Sequence, residues 1–387
     1  MAMKVGVFFG GRSVEHEISV ISALQAVHGF DRTKYDVVPV YITKDGYMYV
    51  GDFIEKIEEY KDIPSLLKKS ARVIGVRDND RFFLVRYPMR RFGNSVHSAI
   101  DVAFPIVHGT NVEDGALQGY FKTMSVPFVG SDVTASALGM DKYATKAALK
   151  DNGIPVLSCK RVLMKPFFKN TKAVISDIEE EITYPMVVKP LNLGSSIGIR
   201  KALDAAELEE GLETAFQYAA VALVERAVPN LREINCAVLG DMESAVASEC
   251  EEPISAHAIL DYSDKYVSGD KGGKGMSSAK RKFPADISPE MRNTVRGLAL
   301  KAFHALGCCG VARVDFLTDS VSGEIWVNEI NTIPGSLSFY LWGFSYTQLL
   351  DSLIELALKR ERVNSAISYS LDVNLLAGFA PGVKDWR

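Results

Sequence analysis

Cysteine is scarce in this 387-residue chain: Cys159, Cys236, Cys250, Cys308 and Cys309, an odd number with no CxxC pair. That argues against a disulfide scaffold or a cysteine zinc site and for reduced thiols, with Cys308-Cys309 expected in the core. Long apolar runs are missing too; none approaches the roughly 20 residues that a bilayer-spanning helix needs. The opening MAMKVGVFFGG passes straight from a strand into a glycine turn, leaving no cleavage region for a signal peptide. A cytoplasmic location, away from membranes, is therefore expected. A net charge of -4 supplies no basic field, and so no footprint for nucleic acid. Internal repeats are absent, and the one low-complexity stretch is a short loop, GDKGGKGMSS at 269–278.

What is present has the balance of a soluble globular protein, 47% apolar and 24% charged, and its length is long for one core. The first 130 residues alternate strand and helix patterns. Residues 4–9 form an apolar strand, Gly10-Gly11 a turn, and Ser13 a candidate N-cap for a helix with Ile18, Ile21, Leu24 and Val27 on one face. Further strands are expected at 35–42 and 101–107, giving an α/β layer with a largely parallel sheet. Gly10-Gly11 then sits at the carboxyl edge, where such sheets bind ligands. From about residue 131 the texture changes. A helix is expected at 140–152, stopped by Gly153, and strands at 185–190 and 222–228 with LNLGSSIGI between them. A strand at 233–239, a long loop at 261–278, a helix at 288–306, strands at 312–317 and 324–330 and a closing helix at 348–362 follow. This second half reads as α+β with hairpins, and the boundaries fall near residues 130 and 225.

Chemistry concentrates in one strand pair. Arg313 and Asp315 are two apart in ARVDFL and so share a face, and Glu329 and Asn331 repeat the spacing in VNEIN. The short connector TDSVSGE suits a hairpin that brings the two polar faces together. Two carboxylates, an amide oxygen and a guanidinium suit Mg²⁺ shared with substrate phosphate, although the same spacing also suits ordinary salt bridges. Pro334-Gly335 comes directly afterwards, and a glycine amide beside a metal can donate to a developing oxyanion. Lys189 ends the strand PMVVKP, and Gly194, Ser195, Ser196 and Gly198 follow as a turn fit to close over phosphate oxygens, or simply a flexible turn. GxxxxGK[ST] is absent, so this is no Walker loop. The loop at 261–278 reads as a water-excluding cover or as a plain surface loop.

Taken in order, GGRSVEHEISVISA, FPIVHGTNVEDGALQG, MDKYATK, VVKPLNLGSSIGI, DYSDKY, GVARVDF and NEINTIPG resemble the D-alanine–D-alanine ligases of the ATP-grasp superfamily, across nearly the whole chain. The resemblance implies a Rossmann-like α/β N-terminal domain (1–130) and two α+β lobes (131–225 and 226–387) that form an ATP-grasp fold, the last carrying lid and metal site. It implies ATP, Mg²⁺ (with Mn²⁺ as a possible substitute) and a homodimer. Asp315, Glu329 and Asn331 match the metal ligands. Lys142 and Lys189 match the phosphate-binding lysines, and Gly194-Ser195-Ser196 the phosphate cover. Glu225 and Val228 fall where adenine is contacted, and Glu233 where the ribose is. Glu15 matches the residue that receives the first substrate's ammonium, and His108 lies near that substrate's carboxylate. Ser195, Lys265 and Tyr266 match the serine and lid residues that close over the amino acids. Arg313 with the Gly335 amide matches the oxyanion site.

The activity so implied is ligation of two D-alanines through a D-alanyl phosphate, which supplies the dipeptide for peptidoglycan precursors, cell-wall biogenesis and cell shape. Within SLSFYLW, Ser336 or Ser338 is expected to meet the second substrate's carboxylate, and the aromatic run to form part of the acceptor wall. That run departs from many relatives, so the acceptor stays open among D-alanine, D-serine and D-lactate. Two other readings are a different ATP-grasp carboxylate–amine ligase and a non-catalytic ATP-binding regulator.

Overall fold

A computed structural model of the protein describes residues 2–194, 196–254 and 281–370. Ser195, Lys265, Tyr266, the loop at 261–278 and the tail from residue 371 lie outside the described residues. The described strands form three sheets, and among the described residues no helix is long and apolar enough to cross a membrane.

The first sheet has the order β6-β5-β4-β3-β2-β1-β7. Its strands are β1 (Met3–Gly10), β2 (Tyr35–Ile42), β3 (Met48–Val50), β4 (Ala71–Asp78), β5 (Arg81–Arg86), β6 (Val96–Ile100) and β7 (Val102–Ile106). Only its centre is parallel, β1 pairing with β2 and β7; from β2 to β6 neighbours run antiparallel. The largely parallel sheet expected from strand-helix alternation is thus a mixed one. The connections explain it, because Asn79-Asp80 between β4 and β5 is far too short for a parallel crossover of a dozen residues or more.

Gly10 and Gly11 turn the chain off β1 with φ of 94° and 92°. A Cβ at Gly10 would come within 2.3 Å of the Ile42 carbonyl oxygen, so this turn requires glycine. Helix α1 (His16–Gly29) follows. Ser13 is not its N-cap; the Ser13 Oγ accepts from the Glu15 amide at 3.0 Å, and no side chain caps the helix start. Ile18, Leu24 and Val27 are buried as expected, but so are Val20, Ala23 and Ala26, because α1 is enclosed on more than one side. It lies between the first sheet and the closing helix Tyr346–Asn364, in one core with Val7, Phe104, Leu349, Leu350 and Leu353. Lys34 meets Asp351 at 2.6 Å, and Thr347 Oγ1 donates to the Gly29 carbonyl at 2.8 Å, across the same junction.

The second sheet, β10-β9-β11-β8, is built from β8 (Cys159–Leu163), β9 (Met186–Pro190), β10 (Arg200–Ala202) and β11 (Val221–Arg226). Between the two strands expected at 185–190 and 222–228 the structure adds β10 and the helix Ala205–Phe216. Asp204 caps that helix by accepting from the Ala206 and Glu207 amides. Leu208 and Leu212 bury against Val162, Met186, Val188 and Val224 in a core of their own.

The third sheet, β14-β13-β12-β15-β16, contains β12 (Leu231–Gly240), β13 (Ala245–Pro253), β14 (Arg281–Lys282), β15 (Gly310–Asp319) and β16 (Ile325–Asn331). The Ser288-capped helix Pro289–Ala305 covers one face, with Cys308 fully buried beneath it. The helix expected at 140–152 begins at Lys142, because Asp141 ends the preceding helix Val133–Met140 and caps the next through the Tyr143 and Ala144 amides. It stops before Gly153 (φ 67°), and its Leu149 packs into the third core.

Candidate active site

Alternation along β15 and β16 decides which side chains reach the cleft between the second and third sheets. Ala312, Val314 and Phe316 point into the core, so Arg313 and Asp315 point out. Register sets Arg313 opposite Asn331 and Asp315 opposite Glu329, the juxtaposition expected from the hairpin. Beyond that pair the register shifts, Phe316 facing Val327, and Asn328 is the extra residue of a β-bulge. Val327 is therefore buried, while Asn328 and Glu329 both line the cleft. Alternation alone hides Asn328, whose Oδ1 accepts from Lys189 Nζ at 3.2 Å. Asn235 on β12 lies opposite Asp315, and Glu233 opposite Leu317, so β12 extends the same polar face.

The facing wall follows the same rule. Val188, Ala222 and Val224 fill the second core, so Lys189 and Glu225 emerge on the cleft side, their nitrogen and Oε2 2.5 Å apart. Lys142 Nζ lies 3.2 Å from Glu329 Oε2 and donates to the Leu193 carbonyl at 2.6 Å. One pocket collects the described residues expected on the nucleotide side: Lys142, Lys189, Gly194, Ser196, Glu225, Val228 and Glu233. Leu157, Val187 and Leu317 give it apolar walls fit for a flat ring. A neighbouring pocket shares Lys142, Gly194 and Glu329 with it and adds Glu15, His108, Glu113, Arg313, Asn331 and Gly335.

Where the two pockets meet, Arg313 binds Asp315 bidentately, Nε to Oδ1 at 2.6 Å and Nη2 to Oδ2 at 2.7 Å, while Asn331 Nδ2 donates to Oδ2 at 3.1 Å. Asp315 and Glu329 stand directly opposite one another, a repulsive placement unless a cation lies between or beside them. Arg313 and Lys142 serve that purpose here. Two carboxylates and an amide oxygen are also a hard-oxygen donor set that fits Mg²⁺. Among the described residues no group of three or more His, Cys, Asp or Glu is placed to hold a metal.

The first sheet supplies the other wall. Gly194 approaches Glu15 so closely that a Cβ there would lie 2.7 Å from Glu15 Oε2. His108 bonds through Nε2 to Ser22 Oγ at 3.2 Å; burial lowers its pKa to about 4, against a bond with the Ile333 backbone and with help from Arg313. It therefore meets a ligand as a neutral hydrogen-bonding group. Glu113, hidden in the sequence within an acidic loop, accepts from the Gly109 amide at 2.9 Å and the Ile333 amide at 3.3 Å. Burial pushes its carboxyl up to about 8, with the Glu15 carboxylate adding to the rise. A cation arriving between these two carboxyls relieves both the burial and the repulsion.

After Gly335 the chain makes a left-handed turn, Ser336, Leu337 and Ser338 having φ of 50°, 53° and 49°. Such a conformation costs L-residues about 1–2 kcal/mol each. Helix α1 holds it, Ser22 Oγ accepting from the Ser336 amide at 3.1 Å and Gln25 Oε1 from the Ser336 hydroxyl at 2.7 Å. Of the two serines expected to face the second substrate, Ser336 is thus directed at α1. The Ser338 Oγ is buried with no hydrogen-bond partner among the described residues. The aromatic run, expected as an acceptor wall, is largely packing: Leu337 is buried in the first core, with Phe339 and Trp342 against it, and Leu341 is buried as well. Tyr340 is the exception. Its hydroxyl lies 3.3 Å from Glu251 Oε1, and the Arg281 guanidinium stacks on its ring at 3.9 Å.

Two family models match in tandem, D-ala D-ala ligase N-terminus over residues 4–131 and D-ala D-ala ligase C-terminus over residues 148–355. The chain belongs to the D-alanine–D-alanine ligase family. A curated member, the D-alanine–D-alanine ligase of Thermosipho melanesiensis, is 36% identical over 379 residues, 97% of this chain and 98% of the relative. Among solved structures, the D-alanine–D-alanine ligase of Coxiella burnetii superposes with a TM-score of 0.77 at 29% identity, covering 94% of this chain and 96% of that one. The VanG D-Ala:D-Ser ligase of Enterococcus faecalis gives 0.75 at 32% identity, covering 92% and 100%. These two family members are named for different acceptors, so membership fixes the first half of the reaction more firmly than the second.

Proposed function

We propose that this family member joins two D-alanines at the expense of ATP, by way of a D-alanyl phosphate, to supply a dipeptide for peptidoglycan precursors. The observation that carries the reading is the junction of two pockets: a cleft with lysines and apolar walls, and a small polar pocket that holds Glu15 and Glu113, meeting at Lys142, Gly194 and Glu329. ATP lies along the first with its base near Glu225 and Val228, its ribose at Glu233 and its phosphates at Lys189, Lys142 and the Gly194–Ser196 turn. Asp315, Glu329 and Asn331 would hold Mg²⁺, or Mn²⁺ in its place, which supplies charge neutralisation on phosphate oxygens when bound. Glu15, with Glu113 beside it, takes the ammonium of the first D-alanine, and neutral His108 hydrogen-bonds its carboxylate.

A free carboxylate is a poor acyl donor, so its oxygen first takes the γ-phosphoryl group of ATP, with ADP as the leaving group, while Lys142 and Lys189 offset the phosphate charge. The second amine, once its ammonium has lost a proton, attacks the acyl carbon; the tetrahedral oxyanion is met by Arg313 and the Gly335 amide, and it collapses to the amide with loss of inorganic phosphate and the remaining amine proton. A non-catalytic ATP-binding regulator would have no use for Arg313 beside a glycine amide. The units at 1–130, 131–225 and 226–387 are read as a Rossmann-like substrate domain, with parallel β2-β1-β7 at its centre, and two ATP-grasp lobes. The protein is read as a cytoplasmic homodimer.

The test is to supply purified protein with ATP, Mg²⁺ and D-alanine alone, then with D-serine or D-lactate added, measuring phosphate release and product mass together. D-Alanyl-D-alanine with stoichiometric phosphate is the expected result. A mixed product without the homodimer reassigns the acceptor, and no phosphate with any of them leaves the regulator standing.

A further inference from the structure

A buried lysine behind the nucleotide cleft, Lys146, is not used by the chemistry above. The helix Lys142–Asp151 carries Lys142 and Lys146 one turn apart, hence on one side. Lys142 turns to Glu329; Lys146, 3% exposed, ends 2.7 Å from Glu225 Oε1. Glu225 is 1% exposed, and its other oxygen is the one that meets Lys189. Two lysines therefore share one buried carboxylate, and one of them, Lys189, has a second partner in Asn328 across the cleft. Despite the short distance, neither Lys146 Nζ nor Glu225 Oε1 has a hydrogen bond of good geometry among the described residues. The Lys146 ion pair, with that of Lys189, offsets the burial of the Glu225 carboxylate.

We propose that Lys146 is the resident counter-ion of Glu225 and a positioning residue for the nucleobase, leaving Lys189 free to move onto the phosphates. The inference rests on the nucleotide reading of the cleft. An ionised Glu225 only accepts hydrogen bonds. It suits a base edge that carries an exocyclic amino group, as adenine does, and repels one that carries a carbonyl, as hypoxanthine does. Burial opposes the charge on Glu225, but Lys146 and then Lys189 outweigh it and hold its pKa at about 2. Without Lys146 the carboxylate must keep Lys189 from the phosphates or take up a proton, and a carboxyl O–H donates to a carbonyl.

The experiment uses full-length Lys146→Met, Lys146→Arg and Glu225→Gln proteins, with calorimetric binding of ATP and ITP and kcat/KM for each with D-alanine. Lys146→Met is expected to bind ATP at least tenfold more weakly and to lose at least tenfold of the wild-type preference for ATP over ITP. Glu225→Gln, whose amide can donate, is expected to lose the preference too, and Lys146→Arg to retain most of it. If ATP and ITP weaken together in Lys146→Met and the preference is unchanged, the lysine is merely structural and the proposal is overturned. Should that variant fail to fold, Lys146→Met/Glu225→Gln removes both charges at once. A preference equal to that of Glu225→Gln supports action through Glu225, and a further drop overturns it. Wild-type protein that binds neither nucleotide overturns the ligase reading itself; active wild type with unmoved variants overturns only the role of Lys146.

Discussion

Arg313 grips Asp315 with both arms of its guanidinium, so its loss removes the oxyanion donor of the proposed mechanism and also leaves Asp315 facing Glu329 with one cation fewer. Losing such a donor costs about 2.7–4 kcal/mol of barrier. Arg313→Ala is expected to lower kcat by two or more decades with little change in ATP affinity, which the proposal assigns to Lys142 and Lys189; steady-state kinetics beside calorimetry checks both, and normal turnover removes Arg313 from the mechanism. Glu113 makes a pH prediction. Its folded pKa of about 8 lies above the ordinary carboxyl value of 4.5, so its contribution to stability is complete below 4.5 and is lost as pH rises to 8. Glu225, held at about 2, has the opposite sign and loses its contribution as pH falls below 4.5. In ligand-free protein the Tm of wild type should therefore fall more steeply between pH 5 and 8 than that of Glu113→Gln, and parallel curves would contradict the assignment. Arg313, Asp315, Glu329 and Asn331 were legible in the sequence because a period of two marks a shared strand face. Glu113 and Lys146 were not, since each is a single acid or base whose partner lies far along the chain, at Ile333 and Glu225.

At the scale of elements, the hairpin, the Ser288-capped helix and the closing helix follow from alternation, caps and helical spacing, and the structure forms them where those signals stand. The mixed character of the first sheet was in the sequence too, but in the brevity of its connections rather than in its strands. The turn at Ser336–Ser338 escaped because three left-handed residues without glycine have no local signature; contacts from α1 impose them. That origin makes the turn testable. Ser338→Gly removes one unfavourable φ and a buried hydroxyl without a partner, and a net gain of about 1 kcal/mol is expected after glycine's own entropic cost. Leu337→Gly relieves the same strain but empties a buried site, so it should lose stability by about 2–5 kcal/mol. Denaturant midpoints of the two variants should move in opposite directions. If Ser338 also reaches the second substrate, its KM rises in Ser338→Gly while that for ATP holds.

Across the whole molecule, the first sheet and the closing helix share one core, whereas the second sheet keeps a core to itself. Leu350, fully buried at that junction, should cost about 2–5 kcal/mol as Leu350→Ala. Hydrogen exchange should then accelerate in α1 as well as in the closing helix and spare β8, β9 and β11; acceleration confined to the closing helix would show two separate cores. The shared core was not legible in the sequence, because it joins segments more than 300 residues apart that each read as ordinary amphipathic helix or buried strand. It also has a meaning for cooperativity. A packing defect anywhere in that shared core loosens the first sheet and the closing helix together, while the sheet bearing Lys189 and Glu225, on its own core, stands apart from it.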